Sequence, residues 1–286
     1  MILDGHIHIE PGKVKREEFL TRLHSAGVSG GTLISISPDR FRQGERNLSA
    51  RERLDNLFEW TGSEENLFPF FWIDPMEEDA LDQVKLANSY GVKGFKVICS
   101  GFYPGDEKAM KVYRAIAGSG KPILFHSGIL WDGMASSRFN RPGEFEALLE
   151  VEGLKFTLAH VSWPWFDECI AVYGKFLSAY DLRRDLSVEM FVDVTPGTPQ
   201  IYREEVLTKL FTVGYDIENN IIFGADSNAN DYNRKWTSEW IRRDNWIYEK
   251  LELSRETVDK IYSDNLKRFV GVSDKIVSKT PMKSGE

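Results

Sequence analysis

His6 and His8 stand one residue apart at the end of an apolar run, in a chain with only five histidines. In an extended strand, side chains at i and i+2 share a face. The pair is therefore two imidazoles side by side, either aimed at one metal ion or resting on an exposed strand face. His126 follows "ILF", His160 follows "FTLA" and Asp226 follows "IIFGA". Imidazole nitrogen with carboxylate oxygen is a common ligand set for zinc and similar borderline ions. Taken singly, each residue also suits a hydrogen-bonded rim position or a turn. The joint pattern points to a divalent metal, with zinc expected.

Lys96 lies in "GFKVI", sharing a face with Gly94 and Ile98, while Phe95 and Val97 share the other. If Phe95 and Val97 pack outward, Lys96 points inward, and a buried charge there needs a partner. It could hold a substrate carboxylate, pair with Asp226 or carry a carbamate bridging two metals. Arg40, Arg42 and Arg46 cluster in "SPDRFRQGER", where they bind an anionic substrate or are simply solvated. Trp131, Trp163 and Arg138 are candidates for the pocket wall. His24, inside "FLTRLHSAG", has no expected chemistry.

These residues need a scaffold that brings distant strand ends together. Eight short apolar runs recur: "ILDGHIHI", "GTLISIS", "LFPFFWI", "VKGFKVI", "PILFHS", "KFTLAHV", "VEMFVDV" and "NIIFGAD". Helix-like segments lie between them. One places Phe19, Leu20, Leu23 and Ala26 on a single face. Another places Leu81, Val84 and Ala87 on a stripe, and a third does so with Met110, Tyr113 and Ile116. Strands alternating with helices predict a parallel sheet, and eight units predict an α/β fold, the (β/α)8 TIM barrel. The Gly-rich fingerprint that would favour an open nucleotide-binding sheet is missing. Pro11, Pro38, Pro75, Pro104, Pro164 and Pro196 each follow a candidate strand, as suits the turns beyond it. A single domain over 1–272 with a polar tail over 273–286 is expected.

Composition bounds the rest. The chain has 286 residues, 42% hydrophobic and 28% charged, with formal net charge −8. That balance, without a long basic run, argues against nucleic acid as a partner. Cys99 and Cys169 form no disulfide framework, which favours a reducing compartment. No basic-plus-apolar leader and no apolar stretch near ~20 residues is seen, so a cytoplasmic location without a membrane partner is expected. The expected partner is a small-molecule substrate, with self-association left open.

The motifs "DGHIHI", "GVKGFKV", "PILFHSG", "LAHVSWP" and "IIFGADS", with the closing "YSDNLKRFVG", resemble the amidohydrolase superfamily. The likeness is to the branch that includes aminocarboxymuconate semialdehyde decarboxylase, and it spans roughly residues 1 to 270. It implies a barrel with a divalent metal held by His6, His8, His126 and Asp226. His160 would ligate a second metal or act in acid–base chemistry, and Lys96 would occupy the position that some members carbamylate; the strand-four stretch resembles the branch in which that lysine is free, which implies one metal and an unmodified lysine. The expected activity is metal-dependent hydrolysis of an amide, lactone or ester of a small anionic substrate. Asp226 and His160 are the expected catalytic residues, and Lys96, Arg40, Arg42, Trp131 and Trp163 the expected substrate contacts. Non-oxidative decarboxylation and a non-catalytic metal-binding barrel remain alternatives.

Overall fold

The computed structural model describes residues 1–41, 47–183 and 185–272. Its strands are β1 (Asp4–His8), β2 (Gly31–Ile34), β3 (Leu67–Trp72), β4 (Gly94–Val97), β5 (Ile123–Phe125), β6 (Lys155–Leu158), β7 (Glu189–Asp193), β8 (Ile221–Ile222) and β9 (Ser227–Asn228). They form one sheet in the order β8-β7-β6-β5-β4-β3-β2-β1-β9, and every pairing is parallel. All eight expected strands are present. The eighth is split: β8 pairs with β7, and the chain then leaves the ladder and resumes as β9 against β1. Gly5 N–H donates to Phe223 O at 2.8 Å between the two pieces, so this one segment joins both edges and closes the barrel.

The longer helices are α1 (Arg16–Ser25), α2 (Ala50–Thr61), α3 (Ala80–Tyr90), α4 (Glu107–Gly118), α5 (Phe166–Leu182), α6 (Arg203–Thr212) and α7 (Arg234–Lys250), and two short ones follow at Arg255–Asp259 and Asn265–Phe269. Local chemistry starts them where it can. Ser49 and Glu52 form a reciprocal capping box at the start of α2, which satisfies two backbone donors that the first turn leaves unpaired. The β5–β6 crossover is built differently, from 3-10 turns at Ser137–Asn140 and Pro142–Glu150. Among the described residues no helix is long and apolar enough to cross a membrane.

Alternation along the strands creates two cores. Ile7, Leu33, Phe71, Phe95, Val97, Phe125 and Phe156 face outward and pack under the helices. Ile34, Phe68, Phe70, Leu124, Phe191 and Ile222 face inward and fill the barrel. The segment Asn265–Phe269 caps the interior from the amino-terminal side of the strands. Its Phe269 ring lies 6.2 Å from Phe70 and 5.0 Å from Phe191, centroid to centroid. A packed floor on that side leaves the carboxyl-terminal rim for chemistry.

The helical faces match their spacing with one correction. Phe19, Leu23, Ala26, Met110, Tyr113 and Ile116 are buried, and Leu20 is half-buried. Leu81, expected on the α3 stripe, is 44% exposed. The buried face runs instead through Ala80, Val84 and Ala87, at i, i+4 and i+7. Gln83 joins it because its amide binds Arg53, Glu77 and Asp79.

Candidate metal centre and active site

The strand ends converge on a cavity of about 680 Å³, lined by His6, His8, His126, His160, Lys96 and Asp226 with Trp131 and Trp163 on its wall. His6 and His8 project from β1 onto the same face, as the one-residue gap predicts. Their Nε2 atoms are 3.1 Å apart, and Asp226 Oδ1 lies 3.8 Å from the first and 3.6 Å from the second. These three residues form the one group of candidate metal ligands found among the described residues.

Two imidazole nitrogens held that close would share a proton or present lone pairs to one point. The surroundings select the second arrangement. Asp193, at the end of β7 and fully buried, places Oδ2 2.9 Å from His6 Nδ1. A proton on Nδ1 bridges that pair and leaves Nε2 as a bare acceptor, the carboxylate–histidine arrangement that orients metal ligands. Burial is the first cause that lowers both His6 and His8 well below the usual imidazole range. Lys96 and neighbouring histidines add to it. Neutral imidazoles and a carboxylate are the donor set a zinc-like ion takes, so these residues fit a metal.

Asp226 sits in the break between β8 and β9 with φ 52, in the left-handed region. This bend carries its carboxylate into the cavity while about a third of the side chain (34%) stays exposed. Gly224 lets the segment pass against β1. A Cβ there would lie 2.7 Å from Thr195 Oγ1 and 3.0 Å from His6 Cβ. Desolvation inside the cavity pushes the Asp226 carboxyl up, with Lys96 opposing and Asp193 adding. Burial likewise pushes Asp193 up to about 6, against the pull of His160, Lys96 and Arg203.

Lys96 points inward from β4 as expected and is 1% exposed. Its Nζ lies 3.4 Å from His6 Nε2. Burial lowers its ammonium to about 8, while Asp193 and Asp226 hold it up.

His126 and His160 are near neighbours, with ring centroids 5.1 Å apart, and the His160 ring is 5.3 Å from that of His6. His126 Nε2 faces Ile129 O at 3.2 Å and is not within the tight His6–His8–Asp226 group. His160 lies just beyond β6, in a turn where His160, Val161 and Ser162 have φ 63, 45 and 57. Three successive non-glycine residues in the left-handed region cost roughly 1–2 kcal/mol each. Such strain clusters where function needs a particular side-chain direction. In the adjacent loop after β7, Gly197 makes room for the ring: a Cβ there would stand 2.7 Å from it. Burial first, then Lys96, brings the His160 imidazole down to about 4, with Asp193 opposing.

Trp131 and Trp163 stack with centroids 6.4 Å apart and planes 14° from parallel. Arg138 does not line the cavity; its guanidinium lies over the Phe139 ring, 4.7 Å from the centroid. That cation–π contact draws it away from the wall. Arg40 is placed by its backbone in the short turn Asp39–Phe41, whereas Arg42 and Arg46 lie outside the described residues. His24 is exposed on α1, away from the site.

Sequence reasoning missed the residues behind the candidate ligands. Asp193 is the last residue of β7, one before the end of "VEMFVDV", and an acid so near a strand end, like Asp226 at the end of its own run, is the signal that could have found it. Asp4 gave no such sign. Buried beneath the site, it accepts from His6 N–H at 3.0 Å, Ala225 N–H at 2.8 Å and the Tyr232 hydroxyl at 2.8 Å. It thereby ties β1 to the last strand. Trp72 and Phe41, also unforeseen, form a second aromatic wall, with rings 5.2 Å apart.

Comparison with known proteins places this arrangement. No curated protein is matched. A 2,6-dihydroxybenzoate decarboxylase from Rhizobium superposes over 95% of this chain and 98% of its own, with TM-score 0.65 and 12% identity. A probable 2-pyrone-4,6-dicarboxylic acid hydrolase from Acinetobacter baumannii covers 94% of this chain and 99% of its own, with TM-score 0.58 and 10% identity. A dihydroorotase from Campylobacter jejuni covers 96% and 84%, with TM-score 0.57 and 16% identity. At such identities the likeness is one of fold. A family profile described as Amidohydrolase matches residues 55–272, most of the chain, although its span begins after His6 and His8. Matched over most of its length, and with those two histidines meeting Asp226 on the same barrel rim, the chain belongs to the amidohydrolase family, in the branch its strand-end motifs resemble.

Proposed function

We propose that this chain is a metal-dependent hydrolase that cleaves an amide, lactone or ester of a small molecule at the carboxyl-terminal rim of the barrel. The observation that carries the reading is the convergence of His6 Nε2, His8 Nε2 and Asp226 Oδ1 on one open cavity, with Asp193 Oδ2 2.9 Å from His6 Nδ1. Zinc is the proposed metal, and when bound it would polarise the substrate carbonyl and lower the pKa of a water toward neutrality.

The chain's own groups supply the remaining chemistry. Asp226 Oδ takes the proton of the attacking water and returns it to the leaving group. His160, facing the same cavity, donates a hydrogen bond to the carbonyl oxygen as negative charge develops there. Positioned acid–base catalysis of this kind contributes roughly 10²–10⁴-fold. The Lys96 ammonium holds an anionic group on the substrate, and Trp131 with Trp163 flanks its far end. The partner is a small molecule, and the cytoplasm is the proposed compartment.

The test has two parts. Purified protein should carry at least one divalent transition metal per chain by elemental analysis, and His6→Ala with His8→Ala should strip it. Turnover of a panel of anionic lactones, amides and esters in oxygen-18 water should then place label in the product carboxylate. Release of carbon dioxide in step with substrate loss, with no labelled acid, would replace hydrolysis by decarboxylation. A folded protein that holds no metal and is unaffected by chelator would remove the metal reading altogether.

A further inference from the structure

The turn carrying His160 is strained at three consecutive residues, and something must hold it. Next to it lie two buried hydroxyls that the proposed reaction does not use. Ser127, one residue past His126, is 1% exposed, and Ser162 is fully buried. Ser127 Oγ donates to Ala159 O at 2.7 Å, the carbonyl immediately before His160. Ser127 Oγ and Ser162 Oγ are 2.8 Å apart. A hydroxyl has one proton to give. Ser127 gives its proton to Ala159, so Ser162 must be the donor in the second bond.

The result is a chain with one direction, from Ser162 to Ser127 to the Ala159 carbonyl. It brackets His160 and Val161 on both sides. The backbone adds one stitch between the two loops, Ile129 N–H to Trp163 O at 2.9 Å, and one within the His160 turn, Trp163 N–H to His160 O at 3.1 Å. The backbone bond from Trp163 N–H to His160 O closes the left-handed stretch on itself. The hydroxyl chain adds a side-chain tie from Ser162, at its end, through Ser127 to the carbonyl just before His160.

We propose that Ser127 and Ser162 are positioning residues, whose linked hydroxyls hold the left-handed turn and aim the His160 ring into the cavity beside His126. The catalytic consequence rests on the role proposed above for His160; the positioning itself does not.

Protein labelled at histidine Cε1 gives one ring signal for each of its five histidines, and loss of a signal in His160→Gln assigns that residue. Ser127→Ala, Ser162→Gly and the double variant are compared with the parent as purified, together with thermal unfolding. Glycine adopts positive φ freely, so Ser162→Gly should unfold no earlier than the parent. Its His160 signal should nonetheless shift or broaden, while that of exposed His24 stays fixed. Ser127→Ala should move the His160 signal in the same way, and the double variant should move it no further than either single change, because one broken link already opens the chain. A parental His160 signal in folded Ser162→Gly overturns the proposal even if Ser127→Ala fails to fold. Shifts that add in the double variant overturn the linkage. A hydrolysis assay that fails while the His160 signal responds as stated would count against the proposed reaction and leave the positioning intact.

Discussion

Asp226 is asked to do two things from one position, and its chemistry separates them. As a ligand it offers an oxygen lone pair; as a base it must accept a proton. Asp226→Asn keeps an oxygen but cannot take the proton. Hydrolysis should therefore fall by about 10² or more while part of the metal is retained, measured by kcat and metal content on the same preparation. If activity loss merely tracks metal loss, the carboxylate is a ligand without a proton-transfer role. Asp193 acts one bond further out, through His6 Nδ1. Asp193→Asn can still hydrogen-bond that nitrogen, but it no longer demands the proton there. Metal affinity should weaken by roughly 10–100-fold, read by competition with a chelator of known affinity. Unchanged affinity would mean that the His6 tautomer is set without Asp193.

At the scale of elements, the site depends on where strands stop. β6 ends in a left-handed turn, and β8 breaks so that Asp226 can bend inward. The loop after β7 then has to pass close to the His160 ring, which it does at Gly197. Gly197→Ala would place a methyl carbon 2.7 Å from that ring unless something moves. Both neighbours are constrained, so the ring or the loop is displaced and His160 loses its place. The expected outcome is a protein of near-parental melting temperature with at least a tenfold loss of kcat, on the scale of positioned acid–base groups. Parental kcat would show that the loop yields without disturbing His160.

At the scale of the whole molecule, the barrel has its own interior separate from the layer under the helices, and the closing segment Asn265–Phe269 seals it. Phe269 is 1% exposed and touches rings from β3 and β7, on opposite sides of the barrel. Phe269→Ala should cost about 3–5 kcal/mol of stability, measured by denaturant unfolding. Because the plug lies below the layer of Lys96, metal content of the folded fraction should not change. A cost under about 1 kcal/mol would mean that the interior collapses around the gap. α6 and α7 are joined on the outside by a buried pair, Arg203 with Asp244, at 2.6 Å and both fully buried. Asp244→Ala leaves the guanidinium without its partner, and a loss of about 3–5 kcal/mol is expected.

Periodicity in the sequence determined the eight strands, their order of use and the inward direction of Lys96, because a two-residue repeat sorts side chains by face without reference to any other segment. It also determined that His6, His8, His126, His160 and Asp226 share one rim, since parallel strands end on the same side. Where the pattern was ambiguous it misled: Leu81 fits a helical stripe on paper, yet the buried face of α3 is turned toward Ala80 and Gln83 by the hydrogen bonds Gln83 makes. Only the tertiary structure decided which of those rim residues meet. It drew His6, His8 and Asp226 into one group and left His126 facing Ile129 O, because distances across a barrel depend on tilt, bends and the left-handed turns at the strand ends. It alone supplied Asp193 and Asp4 behind the ligands and the serines beneath His160. A hydrogen bond between residues nearly two hundred positions apart, as in His6 with Asp193, leaves no periodic trace in the chain.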